Sequence, residues 1–386
     1  MTSIFYLTRV NLLTRRAHLH NIIKTCESLT KTEEVEMTLV STFPHLRETE
    51  REDLLKEHQI TRAFPIITLN SFSNYFQWSR FRVANWLEVA LENLSLIRFL
   101  FLVRKKIDII YFRDYHIFLA IIFGKYFLGK PVFFEAHAAK RKKHTQILLN
   151  LMAKVSNGII AISWELKKYY EKFNKNIMVA FCWAAEKENF PYQKNKEELR
   201  KELNLPLDKT IVGYTGRLDL QGVHSNYDID KVIKAMDFLP QNILFLIIGA
   251  DKREVKELGT RPNLRVYPRI SRLKIPAYLL AFDILVIPKL GELPGDSPAK
   301  MFEYLAAKRP IAAAKTEPVS EVLHHEENAL LVSPDTPEEW AKAIKRLIDD
   351  KELSEKISQK AFEDSKKYTW EERAKRISEF LLNIKP

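Results

Sequence analysis

Short apolar runs rich in β-forming residues alternate along the chain with stretches of helical periodicity, and this alternation restricts the possible folds more than any other feature. In the first half the apolar runs are Ser3–Leu7, Glu36–Ser41, Ile107–Tyr111, Pro131–Glu135, Gly158–Ile162 and Ile177–Phe181. Strands that alternate with helices form parallel sheets whose crossover helices pack on the sheet faces. The first half is therefore predicted to be an α/β domain with a parallel sheet.

The same pattern begins again after a polar, charged stretch at Glu186–Leu205. Its apolar runs are Thr210–Thr215, Ile243–Gly249, Leu264–Tyr267, Ile284–Pro288, Ile311–Ala314 and Ala329–Val332. A chain of 386 residues is long enough for two such domains. The end of the chain, Pro337–Asp349 and then Lys351–Leu382, is predicted to be continuous amphipathic helix, whereas the charge-dense Thr42–Ile60 is predicted to be a mobile loop.

The composition is that of a globular protein, with 46% hydrophobic and 28% charged residues and only two cysteines. Arg9, Arg15 and Arg16 interrupt the start of the chain, which lacks the apolar core of a signal peptide. The apolar stretches Phe99–Val103 and Ile117–Gly124 are far shorter than a membrane span. We therefore expect a cytoplasmic protein without a transmembrane segment.

The net charge of +12 is concentrated in the first half of the chain. Residues 1–190 contain 28 Lys and Arg against 18 Asp and Glu, whereas residues 191–386 contain 33 against 31. Basic clusters occur at Arg104–Lys106 and Lys140–Lys143. Such a surface fits nucleic acid or anionic lipid headgroups, or is only a solvated basic face. Because no nucleic-acid motif is recognised, peripheral attachment at the inner face of the cell membrane is the preferred use.

A loop and helix in the second half form the most informative segment. Within Ile284–Ala314 a strand ends at Pro288, and a loop rich in Gly and Pro runs to Asp296. Ser297 and Pro298 then have the form of a helix N-cap followed by proline in the first turn. A helix start at the carboxyl end of a strand favours binding of phosphate or another anion.

Lys300 and Glu303 are three residues apart and therefore face the same side of this predicted helix. Phosphate at the helix start and a ribose diol hydrogen-bonded to Glu303 would use both features. A capped surface helix with an ordinary ion pair is the alternative.

Upstream, the segment IVGYTGRL at Ile211–Leu218 is an apolar strand that ends in Thr-Gly-Arg. Arg217 would project at the carboxyl end of that strand, where a guanidinium can bind a diphosphate with two hydrogen bonds. The alternative is a surface salt bridge.

Taken in order, the segments TGR, NLRVYPRI, AFDILVIP, DSPAKMFEYLAAKRPIAA and ENALLVSPDTPEEWAKAI resemble the C-terminal domain of the GT4 family of retaining glycosyltransferases. The resemblance covers about residues 207–372. It implies a GT-B fold, in which two Rossmann-like domains face each other across a cleft. The implied domains are residues 1–187 for the acceptor and 188–369 for the nucleotide-sugar donor, with a helix at about 370–386 returning to the first domain.

The resemblance also implies roles for individual residues. Gly216 and Arg217 would bind the donor diphosphate, Glu303 the ribose, and the turn at Arg269 and Ile270 the base. The implied reaction is metal-independent transfer from a nucleotide sugar, with UDP or GDP as the expected carrier, to a saccharide or lipid-linked acceptor. No cofactor is expected.

Two positions depart from the family pattern. Gly295 stands where the family has the first glutamate of a pair, which leaves contacts to the donor sugar to Asp296, Ser297 and Pro298. Gln221 stands where the family usually has a lysine. Lys300 is our candidate for the missing positive charge.

The resemblance assigns residues of the first half as well. His137 follows the run Pro131–Glu135, and the likeness places it beside the transferred sugar; His116 and His144 are weaker candidates. Arg15 and Arg16 stand where relatives have paired glycines near the acceptor or the donor phosphate, or they form only a solvated turn. The alternatives for the whole chain are a GT-B nucleotide-sugar epimerase and a binding module without catalysis.

Overall fold

The computed structural model describes residues 1–13, 17–42, 46–69, 82–139, 143–218, 227–259, 261–290 and 298–384. The chain divides into two compact units. The first unit consists of Met1–Cys182 and Trp370–Pro386, and the second of Trp183–Thr369.

The first unit contains a parallel sheet with strand order β3-β2-β1-β4-β5-β6-β7. The strands are β1 (Thr2–Thr8), β2 (Val35–Ser41), β3 (Ile66–Thr68), β4 (Ile109–Phe112), β5 (Val132–Ala136), β6 (Gly158–Ala161) and β7 (Ile177–Val179). The predicted parallel α/β pattern is confirmed. The three-residue strand β3 was not predicted, because a short edge strand leaves too few apolar residues to form a pattern.

Among the residues that the structure describes, six α-helices of this unit precede the second unit. They are α1 (Ala17–Thr30), α2 (Glu48–Glu57), α3 (Arg82–Val103), α4 (Phe118–Tyr126), α5 (Lys143–Val155) and α6 (Trp164–Tyr170). Helices α3 to α6 bury their apolar sides on one face of the sheet, in a core that includes Leu96, Ile121, Met152 and Leu166. Helix α1 packs on the other face. The sheet is therefore covered on both sides, as parallel sheets require.

The prediction of a mobile loop at Thr42–Ile60 is wrong, because α2 lies within this segment. Its start is stabilised by Glu50, whose carboxylate accepts a hydrogen bond of 2.9 Å from the backbone N–H of Arg47. Leu54 is the buried anchor of the helix. A helix with one buried apolar residue among many charged ones gives almost no periodic signal in the sequence.

The second unit contains a parallel sheet with strand order β10-β9-β8-β11-β12-β13. The strands are β8 (Thr210–Thr215), β9 (Ile243–Ala250), β10 (Leu264–Pro268), β11 (Ile284–Ile287), β12 (Ile311–Ala314) and β13 (Leu330–Val332). The direction of the strand order reverses between β8 and β11. In open α/β sheets ligands bind at the carboxyl ends of the strands beside such a reversal.

The helices of the second unit are α7 (Lys196–Glu202), α8 (Ile229–Ala235), α9 (Lys252–Leu258), α10 (Ile275–Ala281), α11 (Ala299–Ala306), α12 (Glu317–Ser320), α13 (Pro337–Asp349) and α14 (Lys351–Asp364). Trp340 and Ile344 of α13 and Ile357 of α14 pack into the same core as Val212 and Phe245 of the sheet.

The last helix, α15 (Trp370–Asn383), belongs to the first unit, where it packs on α1. Ala374, Ile377 and Leu381 are its buried apolar residues. The prediction of unbroken helix over Lys351–Leu382 is wrong, because the α-helix stops at Asp364 and resumes at Trp370. The two helices on either side of the break serve different cores, a distinction that shared amphipathicity does not reveal. None of the helices in the described parts of the chain combines the length and the apolarity needed to cross a membrane.

Candidate functional site in the second unit and a buried cluster in the first

Two glycines bring the ends of β8 and β9 into backbone contact. Gly216 has φ of +146° and Gly249 has φ of +121°, values that side-chain-bearing residues rarely adopt. A Cβ atom on Gly249 would lie 2.3 Å from the carbonyl oxygen of Gly216. The amide of Gly216 donates to Ile248 across the two strands over 2.8 Å. Glycine at both positions therefore allows the two backbones to approach each other at the carboxyl ends of β8 and β9, which form one edge of the sheet.

Arg217 follows directly after this contact and is exposed. The hydroxyl of Tyr214 donates a hydrogen bond of 3.2 Å to the backbone carbonyl of Arg217, which fixes the main chain at this point. Among the residues that the structure describes, Arg217 has no carboxylate partner. Its guanidinium is therefore available to an anion at the carboxyl end of β8.

Lys300, the second residue of α11, is buried and directs its ammonium group toward the same edge. Its Nζ lies 3.8 Å from the ring centroid of Tyr214 and 3.6 Å from that of Tyr227. A Cβ atom on Gly216 would lie 2.6 Å from this Nζ. Two aromatic faces thus hold the cation beside Gly216 and Arg217 by cation–π attraction.

Glu303 lies one turn further along α11, among groups that the sequence did not predict. The indole N–H of Trp183 donates to its Oε1 over 3.4 Å, and Nη2 of Arg272 lies 3.7 Å from the same oxygen. Arg272 also stacks on the ring of Trp183, at 4.6 Å from the centroid, and lies 3.6 Å from Oε2 of Glu186. Burial raises the pKa of Glu303, and Arg272 opposes that increase.

A small cavity opens beside Glu303. Its lining includes Glu186, Phe190, Arg272, Pro276 and Leu279. Arg269 is exposed at the end of β10, where its amide donates to the carbonyl of Ala250 over 3.2 Å, and Ile270 is half-buried. Glu303 is therefore a partly desolvated hydrogen-bonding group in the lining of this cavity.

The start of α11 differs from the predicted helix cap. The helix begins at Ala299, and Pro298 occupies the N-cap position with extended backbone, not the first turn. The carbonyl of Pro298 accepts a hydrogen bond of 3.0 Å from Met301, so the proline begins the helix through its acceptor and needs no N–H. Asp296 and Ser297 lie outside the described residues.

An Asp-x-Asp sequence occurs at residues 228–230, a spacing that can also hold a metal ion. Asp228 lies 2.9 Å from Nζ of Lys231, and Asp230 lies 2.6 Å from Nζ of Lys234. Both carboxylates thus form helical ion pairs with lysines three or four residues further on.

In the first unit, His137 follows β5 and contacts a buried acid. Its Nε2 lies 3.1 Å from Oε1 of Glu135, which is fully buried. Tyr6 donates to Oε2 of Glu135 over 3.0 Å, and Nη2 of Arg373 donates to Oε1 over 2.7 Å. Burial alone would raise the pKa of Glu135, but His137 and Arg373 hold that pKa well below its ordinary value. Glu135 is therefore a buried carboxylate whose negative charge is compensated by the guanidinium of Arg373.

Burial and the nearby Arg113 lower the pKa of His137 from 6.5 to about 4, so its imidazole is neutral at neutral pH. His116 is half-buried, and burial lowers its pKa as well. Arg15 and Arg16 lie outside the described residues, and the side chain of His144 is likewise not described.

The folding of the first unit is expected to depend on pH through His137. Because the unfolded chain binds more protons than the folded unit between pH 6.5 and about 4, the free energy of unfolding should fall on acidification across this range, by up to about 3 kcal/mol. Hydrogen exchange of β5 amides in wild type and in His137→Gln measures the difference. Glu92, whose pKa burial raises to about 7, acts in the opposite direction in both proteins and cancels.

The exposed His325 of the second unit provides the matched control. In the variant His325→Gln, the free energy of opening measured at the β5 amides should depend on pH as it does in wild type. If the free energy of opening of β5 changes equally with pH in wild type and in His137→Gln, His137 does not titrate in this range.

Comparison with known proteins gives a family match over the second unit. The family model described as "Glycosyl transferases group 1" matches residues 195–364. The D-inositol 3-phosphate glycosyltransferase of Xylanimonas cellulosilytica is 26% identical over 187 residues, which cover 46% of this chain and 43% of the relative. The chain spans less than half the length of the first curated relatives that it matches.

Solved structures match nearly the whole chain. Sucrose-phosphate synthase from Thermosynechococcus elongatus has a TM-score of 0.73 and 16% identity, over 99% of this chain and 98% of that chain. HepE from Anabaena, crystallised with UDP-glucose, has a TM-score of 0.71 and 16% identity, over 99% and 100%. At such identity the likeness shows the fold, and it confirms the predicted GT-B class of two α/β units.

Proposed function

We propose that the chain is a group 1 glycosyltransferase, because residues 195–364 match that family's model, and that it moves a sugar from a nucleotide-sugar donor to a saccharide or lipid-linked acceptor. The observation that carries the proposal is the placement of Arg217 and Lys300 together at one strand edge of the second unit, with Glu303 one helical turn away. Two cations beside a hydrogen-bonding carboxyl group suit a nucleoside diphosphate, whose phosphates need positive charge and whose ribose needs an acceptor.

The proposed reaction breaks the bond between the anomeric carbon and the diphosphate oxygen. The bonding electrons leave with the diphosphate, the acceptor hydroxyl oxygen forms the new bond on the same face of the sugar, and its proton is released. The configuration of the anomeric carbon is thereby retained. Negative charge grows on the departing diphosphate, and preorganised positive groups stabilise it most effectively. Arg217 and Lys300 would supply that charge without a bound metal ion.

The aromatic pair around Lys300 supports this role. An ammonium between the rings of Tyr214 and Tyr227 is held in place before any ligand arrives, so little reorganisation is needed as charge develops. The ammonium lies beside Gly216, five residues before Gln221, which stands where the family usually has a lysine and lies outside the described residues. Lys300 is therefore our candidate for the positive charge that the family's lysine would supply.

The remaining contacts are proposed from the resemblance. Arg269 and Ile270 would meet the base, while Asp296, Ser297 and Pro298 would meet the diphosphate and sugar. In the first unit, His137 would approach the transferred sugar as a neutral imidazole or through its backbone. Arg15 or Arg16 would bind the acceptor or its phosphate, and an anionic membrane surface is the proposed partner of the basic first half.

The proposal is tested by incubating the protein with labelled UDP-, GDP- and ADP-sugars. UDP-glucose is the first choice, because HepE was crystallised with it. Hydrolysis or transfer of the sugar supports the proposed activity. Formation of the 2-epimer would favour the epimerase instead, and binding without turnover would favour a binding module.

Glu303→Gln is expected to weaken binding of nucleoside diphosphates about tenfold while leaving inorganic pyrophosphate binding unchanged. A hydrogen bond from a ribose hydroxyl to a charged group contributes about 1.5–3 kcal/mol, and the neutral amide provides a weaker acceptor. Isothermal titration with UDP, 2′-deoxy-UDP, 3′-deoxy-UDP and pyrophosphate measures the effect.

The exposed Glu317 on α12 of the same unit provides the control variant, Glu317→Gln, which should bind as wild type does. If wild type does not distinguish UDP from either deoxy form, Glu303 does not bind the ribose.

A further inference from the structure

The outward side of α3 is mainly apolar from Leu87 to Leu102. Leu87, Leu94, Phe101 and Leu102 are exposed to between 50% and 67%, while Leu96 and Leu100 on the opposite side are buried against the sheet. Leu87, Leu94 and Phe101 recur at intervals of seven, which places them in one stripe along the helix, and Leu102 adjoins Phe101. A surface helix of a globular domain normally presents polar residues on this side.

The neighbouring helices extend this apolar surface. Helix α4 packs against α3, and α5 packs against α4. Leu119, Tyr126 and Phe127 are exposed on and directly after α4, and Ile147 and Leu151 are exposed on α5. We call the outward surface of these three helices, with the side chains named above, the α3–α5 face. Large apolar patches on a protein surface mark interaction sites.

The charge around the α3–α5 face has one dominant sign. Residues 82–155 contain 13 Lys and Arg but only five Asp and Glu. Two of the five acids do not offset this charge at the surface, because Glu92 and Glu135 are buried and paired with Arg9 and Arg373. The basic residues that surround the exposed apolar side chains include Arg98, Arg104, Lys105, Lys106 and Lys154.

Arg104 connects the two properties of the face, since its guanidinium stacks on the exposed ring of Phe101 at 4.3 Å. Aromatic and leucine side chains next to lysine and arginine are the combination that binds a bilayer interface, where the apolar groups enter the acyl region and the cations meet anionic headgroups.

We propose that the α3–α5 face docks the first unit on an anionic lipid bilayer. The lipid surface is the single occupant to which we assign this face. The assignment deepens the membrane partner of the proposed function by naming the surface that binds it. It rests on exposure and charge alone, so it stands or falls independently of any reaction at the donor site.

Vesicle co-sedimentation tests the proposal. The full chain is expected to bind vesicles of phosphatidylcholine with 30% phosphatidylglycerol, and to bind pure phosphatidylcholine at least tenfold more weakly. Each basic residue near an anionic surface contributes on the order of a fivefold change in affinity, and salt should weaken the binding. The variant Leu102→Ser with Phe127→Ser, and separately Lys105→Gln with Lys106→Gln, should each reduce binding to the anionic vesicles at least tenfold.

Matched changes elsewhere provide the controls. Leu207→Ser with Phe238→Ser removes exposed apolar side chains from the second unit, and Lys342→Gln with Lys345→Gln removes exposed lysines from α13. Both should bind vesicles as wild type does. A thermal-shift response to nucleotide sugars that is equal in wild type and in all four variants separates a membrane effect from a donor effect.

Three results would overturn the proposal. The first is wild-type binding that does not depend on phosphatidylglycerol, and the second is equal loss in the face variants and the controls. The third is reversible self-association in sedimentation velocity that the face variants abolish, without any vesicle binding, because it would make the face a contact between copies of the chain.

Discussion

Arg373→Met is expected to destabilise the first unit by about 3–5 kcal/mol, the largest effect of any single substitution that we predict. Arg373 is buried, and its guanidinium donates to Oε1 of Glu135, to Oγ1 of Thr25 and to the carbonyl of Phe181. Removing one partner of a buried ion pair leaves the other charge without compensation in a site that excludes water. Methionine retains the apolar volume, so the loss reports the charge and its hydrogen bonds.

Amide hydrogen exchange of β5 and α15 measures this opening without requiring that the two units unfold together. Arg376→Met is the control, because Arg376 is an exposed arginine of the same helix with one hydrogen bond of 2.8 Å to the carbonyl of Val179. We expect it to cost about 1 kcal/mol. Adding Glu135→Gln to Arg373→Met should recover part of the loss, and a double variant no more stable than the single one would contradict the pairing.

Lys300→Met is expected to lower kcat/KM for the nucleotide-sugar donor by about 10²–10³, the range found when one preorganised group that stabilises a developing negative charge is removed. The methionine keeps most of the volume between the rings of Tyr214 and Tyr227 and removes only the cation. Steady-state kinetics measures the effect, with whichever of the UDP-, GDP- and ADP-sugars proves to be the donor. Adding Gln221→Lys, which restores the family's usual lysine, should return part of the activity.

Lys308→Met provides the control, because Lys308 is exposed and lies beyond the other end of α11. It should keep kcat/KM within about twofold of wild type. The thermal midpoint of Lys300→Met must remain close to that of wild type, so that a folding defect is not mistaken for a catalytic one. A kcat/KM within twofold of wild type for Lys300→Met would remove this lysine from the proposed chemistry.

The sequence was sufficient for the parts of the structure that arise from local pattern. Apolar runs predicted the strands of both sheets except β3, and the Thr-Gly-Arg at Thr215–Arg217 correctly marked the carboxyl end of β8. These strand predictions succeed because a buried parallel strand is an uninterrupted apolar run in the sequence, followed by turn residues. The GT-B fold followed from the order of such segments together with the family resemblance.

The contacts around the functional groups depend on residues distant in sequence, and no local pattern specifies them. Trp183 reaches Glu303 over 120 positions, and Arg373 reaches Glu135 over 238. The tyrosine faces around Lys300 could not be predicted either, since tyrosine in an apolar segment suggests only burial. The exposure of the α3 stripe was equally hidden, because α3 carries apolar residues on both its buried and its exposed side, and such a pattern does not show which side faces the sheet.

The return of the chain to its first unit sets an order on how the protein can be built during synthesis. The two stretches of that unit are separated by the entire second unit, so the second unit is an insertion in the coding order. Glu135 is translated 238 positions before the arginine that neutralises it. Until Arg373 has been added, the first unit lacks the cation that neutralises Glu135, so its last buried contacts form only after the second unit has been synthesised.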